Sequence, residues 1–502
     1  MIKQIFIIGC ILYATLGFQP LPAQEADKLN TGYFPGFPDR PASHNFQHYS
    51  GADMRELWST ASTGEQRTMS LSMWKYIGPD NANNLCGAGR VNCVAVDPLD
   101  SNSIWLGSAS GGLWKSTNGG QSWTPTSDLF ASLGVTKVQY DPLNAQTIYL
   151  ATGDANGGDA YSFGLLKSTD GGATWDSTAL SFTLQANEYI RDFSLHPSLA
   201  GNIVVITNRY IYRSIDGGTT FTPSLSGDFY SVARDLQNAS VLYVTSYPDQ
   251  NYSYARIRVS TNNGASWSFC DSGLPATYFK IKLAVTQAQS TSLFAAGIKL
   301  GTDSMNLIET PDGGQNWFTS PYHNIGQQTW FNLYFDVSQS LPLRFYFGAV
   351  WSWKSTDAGL TWNTMSQWAP VHCDHHGILQ TGNGRFFDCN DGGIWKTADD
   401  GNTWTSLNNN LGALQFYRMN VCKTDTAVIG AGAQDNCYVV KSQGTGNNWH
   451  SDVGGDIMEV LIDPVVSNNH YVMGIGGAMA ASSTGGANWY GIPAQSSPLP
   501  VG

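Results

Sequence analysis

The residues best suited to chemistry crowd into the later part of the chain. HCDHHGIL at 372–379, DCNDGGIWKT at 388–397, GAGAQDN at 430–436 and GGDIMEV at 454–460 bring Asp374, Asp391, Asp435 and Asp456 together with His372, His375, His376 and Asn436. Glycoside cleavage needs two carboxyl groups flanking one bond, about 5 Å apart for retention and about 6.5–9.5 Å for inversion. Asp374 with Asp391, Asp435 or Asp456 could supply that pair. Imidazole and carboxylate are also ordinary ligands of divalent ions, and His372, Asp374 and His376 would form such a set, although H-x-D-H-H matches no named metal motif. A third reading is structural: Asp-Gly-Gly at 391–393 is a turn, and Asp or His at strand starts often satisfies loop amides. No cofactor is implied, because the phosphate-cradling G-x-x-x-x-G-K-[ST], HExxH and a base-supported G-x-S-x-G are all missing.

The elements that must position these groups are legible in a repeat. STNGGQSW at 116–123 returns as STDGGATW at 168, SIDGGTTF at 214, STNNGASW at 260, TPDGGQNW at 310, STDAGLTW at 355 and TADDGNTW at 397. Worn copies follow as SQGTGNNW at 442 and SSTGGANW at 482. The nine starts are 40–52 residues apart, which suits one four-stranded propeller blade each. Asp or Asn before Gly makes a turn that tolerates positive φ, the leading Ser or Thr can bond the turn backbone, and the closing Trp can pack between blades. Composition agrees: 54 Gly, 12% aromatic, 13% charged, and six Glu against 32 Asp in 502 residues favour turns and strands over helices. A net charge of -12 argues against nucleic acid or an anionic membrane as partner.

The octets resemble the S-x-D-x-G-x-T-W repeat of the Asp-box (BNR) propeller superfamily, over about 74–489. With GAGRVNCVAVDP at 87–98, the chain resembles exported bacterial glycosyl-hydrolase-like and sortilin-like propellers and tandem-propeller xyloglucanases. The resemblance implies an all-β propeller of about nine four-stranded blades, as one large ring or as seven blades plus part of a second ring. It implies that the octet aspartates Asp170, Asp216, Asp312 and Asp357 are structural. In the xyloglucanase branch two aspartates, one per ring, face a cleft, and Asp456 is the nearest match to the later one. The arginine triad and Arg-Ile-Pro of sialidases are missing, which speaks against that activity.

Propeller ligands bind at the mouth of the central channel, where innermost strands begin and second-to-third strand loops project. Those positions add Arg90, Arg191, Lys280, Trp330 and Tyr417, with Asp154 and Asp159 in the loop TGDANGGDAYSFG at 152–164. Arg90, His372, His375, Trp330, Tyr417 and Asn436 are the expected ligand contacts, and Trp330, Trp351, Trp353 and Trp368 could offer faces for sugar stacking. The expected partner is a polysaccharide or glycan, with a protein or peptide as the alternative.

Lys3, an apolar run over 5–18 and Leu21-Pro22-Ala23 form a signal-peptide layout, cut after Ala23. A secreted or periplasmic protein without a transmembrane anchor is expected, with a lead-in segment at 24–70 and the propeller over 71–502, divisible into 71–410 and the start of a second ring over 411–502. Among seven further cysteines, neighbours in sequence suggest Cys86–Cys93, Cys373–Cys389 and Cys422–Cys437, and buried thiols are the other reading.

Overall fold

The structure, a computed structural model, describes residues 77–80 and 86–492 apart from 129, 131, 184–185, 367–369, 383, 442–448 and 452. The expected leader, the lead-in segment, Trp368 and the eighth octet before Trp449 lie outside the described residues. Among the described residues no helix is long and apolar enough to cross a membrane.

The described residues form an all-β propeller of nine four-stranded antiparallel sheets, each running in chain order from its innermost strand outward. The innermost strands are Val91–Val96, Val135–Asp141, Ile190–Leu195, Phe229–Arg234, Tyr278–Val285, Tyr334–Val337, His375–Gly382, Phe416–Val421 and Ile457–Ile462, which define blades 1 to 9. Second strands such as IWLGS and IVVIT are buried along their whole length, because neighbouring blades cover both faces. Their β-branched and aromatic residues suit that setting. Trp353 packs in this inter-blade core rather than at a sugar-accessible surface.

In the eight described octets the hydroxyl of the leading Ser or Thr accepts from the amide four residues on. Ser168 Oγ donates to Asp170 Oδ1 at 2.8 Å and accepts from the Gly172 amide at 2.8 Å, while Asp170 accepts from the Thr174 amide at 2.9 Å and the Thr174 hydroxyl at 2.6 Å. The pattern recurs at Asp216 and Asp357. Gly171 and Gly172 sit at φ 70° and 85°, which a side chain would resist. The threonine hydroxyl, then backbone amides, draw the Asp170, Asp216 and Asp357 carboxyls down to about 2. All three carboxyls shape their turns, with Asp170 and Asp216 exposed and Asp357 partly so.

The octet tryptophan reaches back to the preceding blade. Trp267 Nε1 donates to Ser224 Oγ (3.1 Å), Trp317 to Cys270 O (2.8 Å) and Trp404 to Met365 O (3.2 Å). Trp123 of blade 1 makes the equivalent bond to Leu407 O of blade 7 at 2.6 Å. The innermost strands of blades 7 and 1 also pack side by side, so the succession returns on itself after seven blades. The innermost strands of blades 8 and 9 pack on each other.

The cysteine pairing departs from the expectation. Cys86 bonds to Cys437, 351 residues away, while Cys93, Cys389 and Cys422 remain thiols and Cys373 Sγ donates to Asp374 Oδ2 at 3.1 Å. In each expected pair at least one cysteine lies in a loop outside the strands, and the segment before blade 1 runs beside blade 8, where it brings Cys86 to Cys437.

Candidate functional site: a carboxylate cluster between blades 7 and 8

Innermost strands begin with a β-bulge in eight of the nine blades, which leaves Asn92, Thr136, Arg191, Tyr230, Phe279, His376, Tyr417 and Met458 as the extra residues. A bulge breaks alternation and re-aims a side chain. His375 and His376 therefore part. His375 is fully buried in its blade, its Nδ1 2.7 Å from Asp388 Oδ1 and its Nε2 3.0 Å from Ser366 Oγ. Its expected ligand contact is not available. His376 faces the cluster, with Nε2 2.7 Å from Asp391 Oδ1 and Nδ1 3.0 Å from Asn156 Nδ2.

One oxygen each of Asp374, Asp391 and Asp435 lies within 4.8 Å of the others. Asp374 accepts from Asn332 Nδ2 at 2.5 Å. Asp391 is 2% exposed, and burial, then Asp374, holds its carboxyl well above the usual carboxylate range, Arg90 opposing. Asp435 is half-buried and pushed up in the same way by burial, then by Asp391, Asp456 and Asp374. Burial lowers His376 to about 3, with Arg90 adding, so its ring is neutral at ordinary pH. Two carboxyls raised well above the ordinary range beside a third make a setting suited to proton transfer.

Asp456 stands behind Asp435, where its Oδ1 accepts from the Asp435 amide at 2.9 Å and the Tyr417 hydroxyl at 3.3 Å. Asn436 Nδ2 donates to Asp391 O at 2.9 Å. The His372 ring lies 3.1 Å from the carbonyls of Cys373 and Asp435. The histidine-containing metal set expected from His372, Asp374 and His376 is not assembled, since both rings are committed elsewhere. Among the described residues the three carboxylates are the group close enough to take a divalent cation.

Arg90 is buried against Asp154, and its Nη2 also lies 3.0 Å from Asp159 Oδ2. The 153–164 loop thereby crosses from blade 2 toward blades 7 and 8, where Asp159 also accepts from Gln415 Nε2 at 2.9 Å. Phe331 packs its ring edge-on to His376 with centroids 5.1 Å apart, and Arg90 lies over Phe331 at 5.1 Å. Trp330, 66% exposed, tilts against Phe331. The structure thus brings Arg90, Tyr417, Asn436 and His372 to the expected cluster and leaves Trp330 on its rim. Sequence reasoning missed Asn332, Asn156 and Phe331. Asn156 lies in the loop already singled out for Asp154, and Asn332 stands at a strand start, so position was the available signal.

No protein-family model matches the chain. Its sequence is similar to a xyloglucanase of Hypocrea jecorina, 26% identical over 341 residues, covering 56% of this chain and 39% of that protein. A Paenibacillus xyloglucanase is 22% identical over 340 residues, covering 64% and 26%. The chain therefore spans well under half the length of these curated relatives. Among solved structures, the GH74 xyloglucanase of Xanthomonas campestris superposes with a TM-score of 0.61 at 14% identity, over 83% of this chain and 69% of that one. The GH74 enzyme of Niastella koreensis gives 0.59 at 16%, over 81% and 66%. What the chain shares with these GH74 structures is the fold, a multi-bladed β-propeller.

Proposed function

We propose that this protein is an exported, carbohydrate-recognising propeller that hydrolyses glycosidic bonds in β-glucans of the xyloglucan class. The observation that carries the reading is the cluster itself: Asp391, buried and with its carboxyl raised above the usual range, has an oxygen within 4.8 Å of oxygens of both Asp374 and Asp435. Asp391 acts as the acid that protonates the leaving oxygen, and Asp374 is the second carboxylate across the bond. The short spacing suits the retaining geometry. Asp435 from blade 8 and Asp456 from the start of blade 9 back the pair, and the exposed Trp330 offers a ring for a sugar face. The similarity to xyloglucanases supports the substrate class. Blades 1–7 form one ring over 71–410 and blades 8–9 begin a second over 411–502, so the cluster lies at the junction.

A second reading has its own observation. Blade 8 exposes Phe416, Met419 and Val421 along its innermost strand, and blade 9 exposes Met458 and Leu461. An apolar strand face suits a protein or peptide partner, as in a sortilin-like, non-catalytic propeller. Reducing-sugar release from a polysaccharide panel including xyloglucan separates the two. Release supports the hydrolase, retention without release leaves a carbohydrate-binding propeller, and neither outcome moves the reading to protein binding.

A further inference from the structure

Asp374 and Asp391 belong to blade 7, whereas Asp435 arrives from the loop 434–437 of blade 8. Most bonds of that loop stay within blades 8 and 9: the Ala433 amide donates to Cys437 O (3.0 Å), the Cys437 amide to Gly455 O (3.1 Å) and the Asp435 amide to Asp456 Oδ1 (2.9 Å). Toward blade 7 it has the Asn436–Asp391 bond, the His372 ring against Asp435 O, and the disulfide to Cys86. Cys86 is itself moored beside Asp391, because the Ala88 amide donates to Gly392 O at 2.9 Å and Ala88 O accepts from the Ala413 amide at 3.0 Å. Asp435 and Cys437 both hold left-handed backbone, φ 55° and 72°, which non-glycine residues keep only where their surroundings impose it.

We infer that Cys86 and Cys437 are a positioning pair for the carboxylate cluster: their disulfide crosses from the blade 1 entry segment to the residue after Asn436 and holds Asp435 against Asp391 and Asp374. The inference rests on the cluster being the reacting centre. Without the cross-link the amide bonds of the loop to Asp456 and Gly455 open more often, so the strands of blade 8 survive while Asp435 drifts from its partners. A dithiol would open the link by delivering two electrons and two protons, leaving the Cys86 and Cys437 thiols and its own cyclic disulfide.

The test compares the wild-type chain with the Cys86→Ser/Cys437→Ser variant by hydrogen–deuterium exchange and by polysaccharide hydrolysis. Exchange over 434–437 should rise at least about tenfold while the octet turns stay as protected as before. The kcat should fall about ten- to a hundredfold with KM within about threefold, the size of effect that a displacement of about 1 Å gives. Unchanged exchange together with unchanged kcat would overturn the inference. A wild-type chain that hydrolyses nothing would defeat the functional reading instead, and exchange alone would then judge the clamp. Should the double variant fail to fold, folded wild-type protein treated with dithiothreitol gives the same two readouts.

Discussion

Trp123 closes the seven-blade succession, and its removal is a quantitative test of that architecture. The ring is 5% exposed, packs with Leu407, Leu411 and Trp114, and donates Nε1–H to Leu407 O at 2.6 Å. Emptying such a site costs about 3–5 kcal/mol, so Trp123→Ala should destabilise the protein by about 4 kcal/mol. Blades 1–7 span about 320 residues, and at about 2.1 cal/mol/K per residue that loss lowers the melting point by about 6 °C. Phenylalanine substitution isolates the hydrogen bond. Trp123→Phe leaves Leu407 O without its donor, which costs about 1–3 kcal/mol. Trp175 is equally buried, but its Nε1 has no hydrogen-bond partner and the ring stands edge-on to Trp105. Trp175→Phe should therefore cost under about 1.5 kcal/mol. Urea midpoints at constant m measure both. A Trp123→Phe cost within about 0.5 kcal/mol of the Trp175→Phe cost, or a Trp123→Ala cost below about 1 kcal/mol, would refute closure through this contact.

Two further outcomes follow from the charged groups. Asp170, Asp216 and Asp357 titrate near 2 in the folded protein against about 3.9 unfolded, so their contribution is complete above about pH 4 and is lost as pH falls through about 2. Replacing all three with Asn should flatten the drop in urea midpoint across that window, and an identical drop would contradict their role in the turns. Arg90→Met leaves Asp154 buried without its cation, which should cost about 3–5 kcal/mol. Adding Asp154→Leu should recover part of that loss in the same unfolding assay.

Nine blades were legible because turn chemistry is local: Ser, Asp, Gly and Thr within one octet make all the bonds that shape the turn. The return after seven blades was not legible. The octet of blade 1 looks like any other, and the partner of Trp123 is 284 residues away. The cluster was half legible. Asp374, Asp391 and Asp435 fall at strand starts and loops, which the repeat identifies. Which of His375 and His376 faces them depends on a bulge, and a bulge adds one residue without a sequence mark. The disulfide defeated the expectation for the same reason as ring closure, since its partners meet only through the tertiary path.

The central claim is that Asp391 and Asp374 perform the hydrolysis. The most direct measurement is the rate of reducing-end release from xyloglucan by wild-type, Asp391→Asn and Asp374→Asn proteins with matched unfolding curves. The account predicts a fall of at least about 10²-fold in each variant, the usual size of an acid–base contribution. Hydrolysis at the wild-type rate in either variant would contradict it.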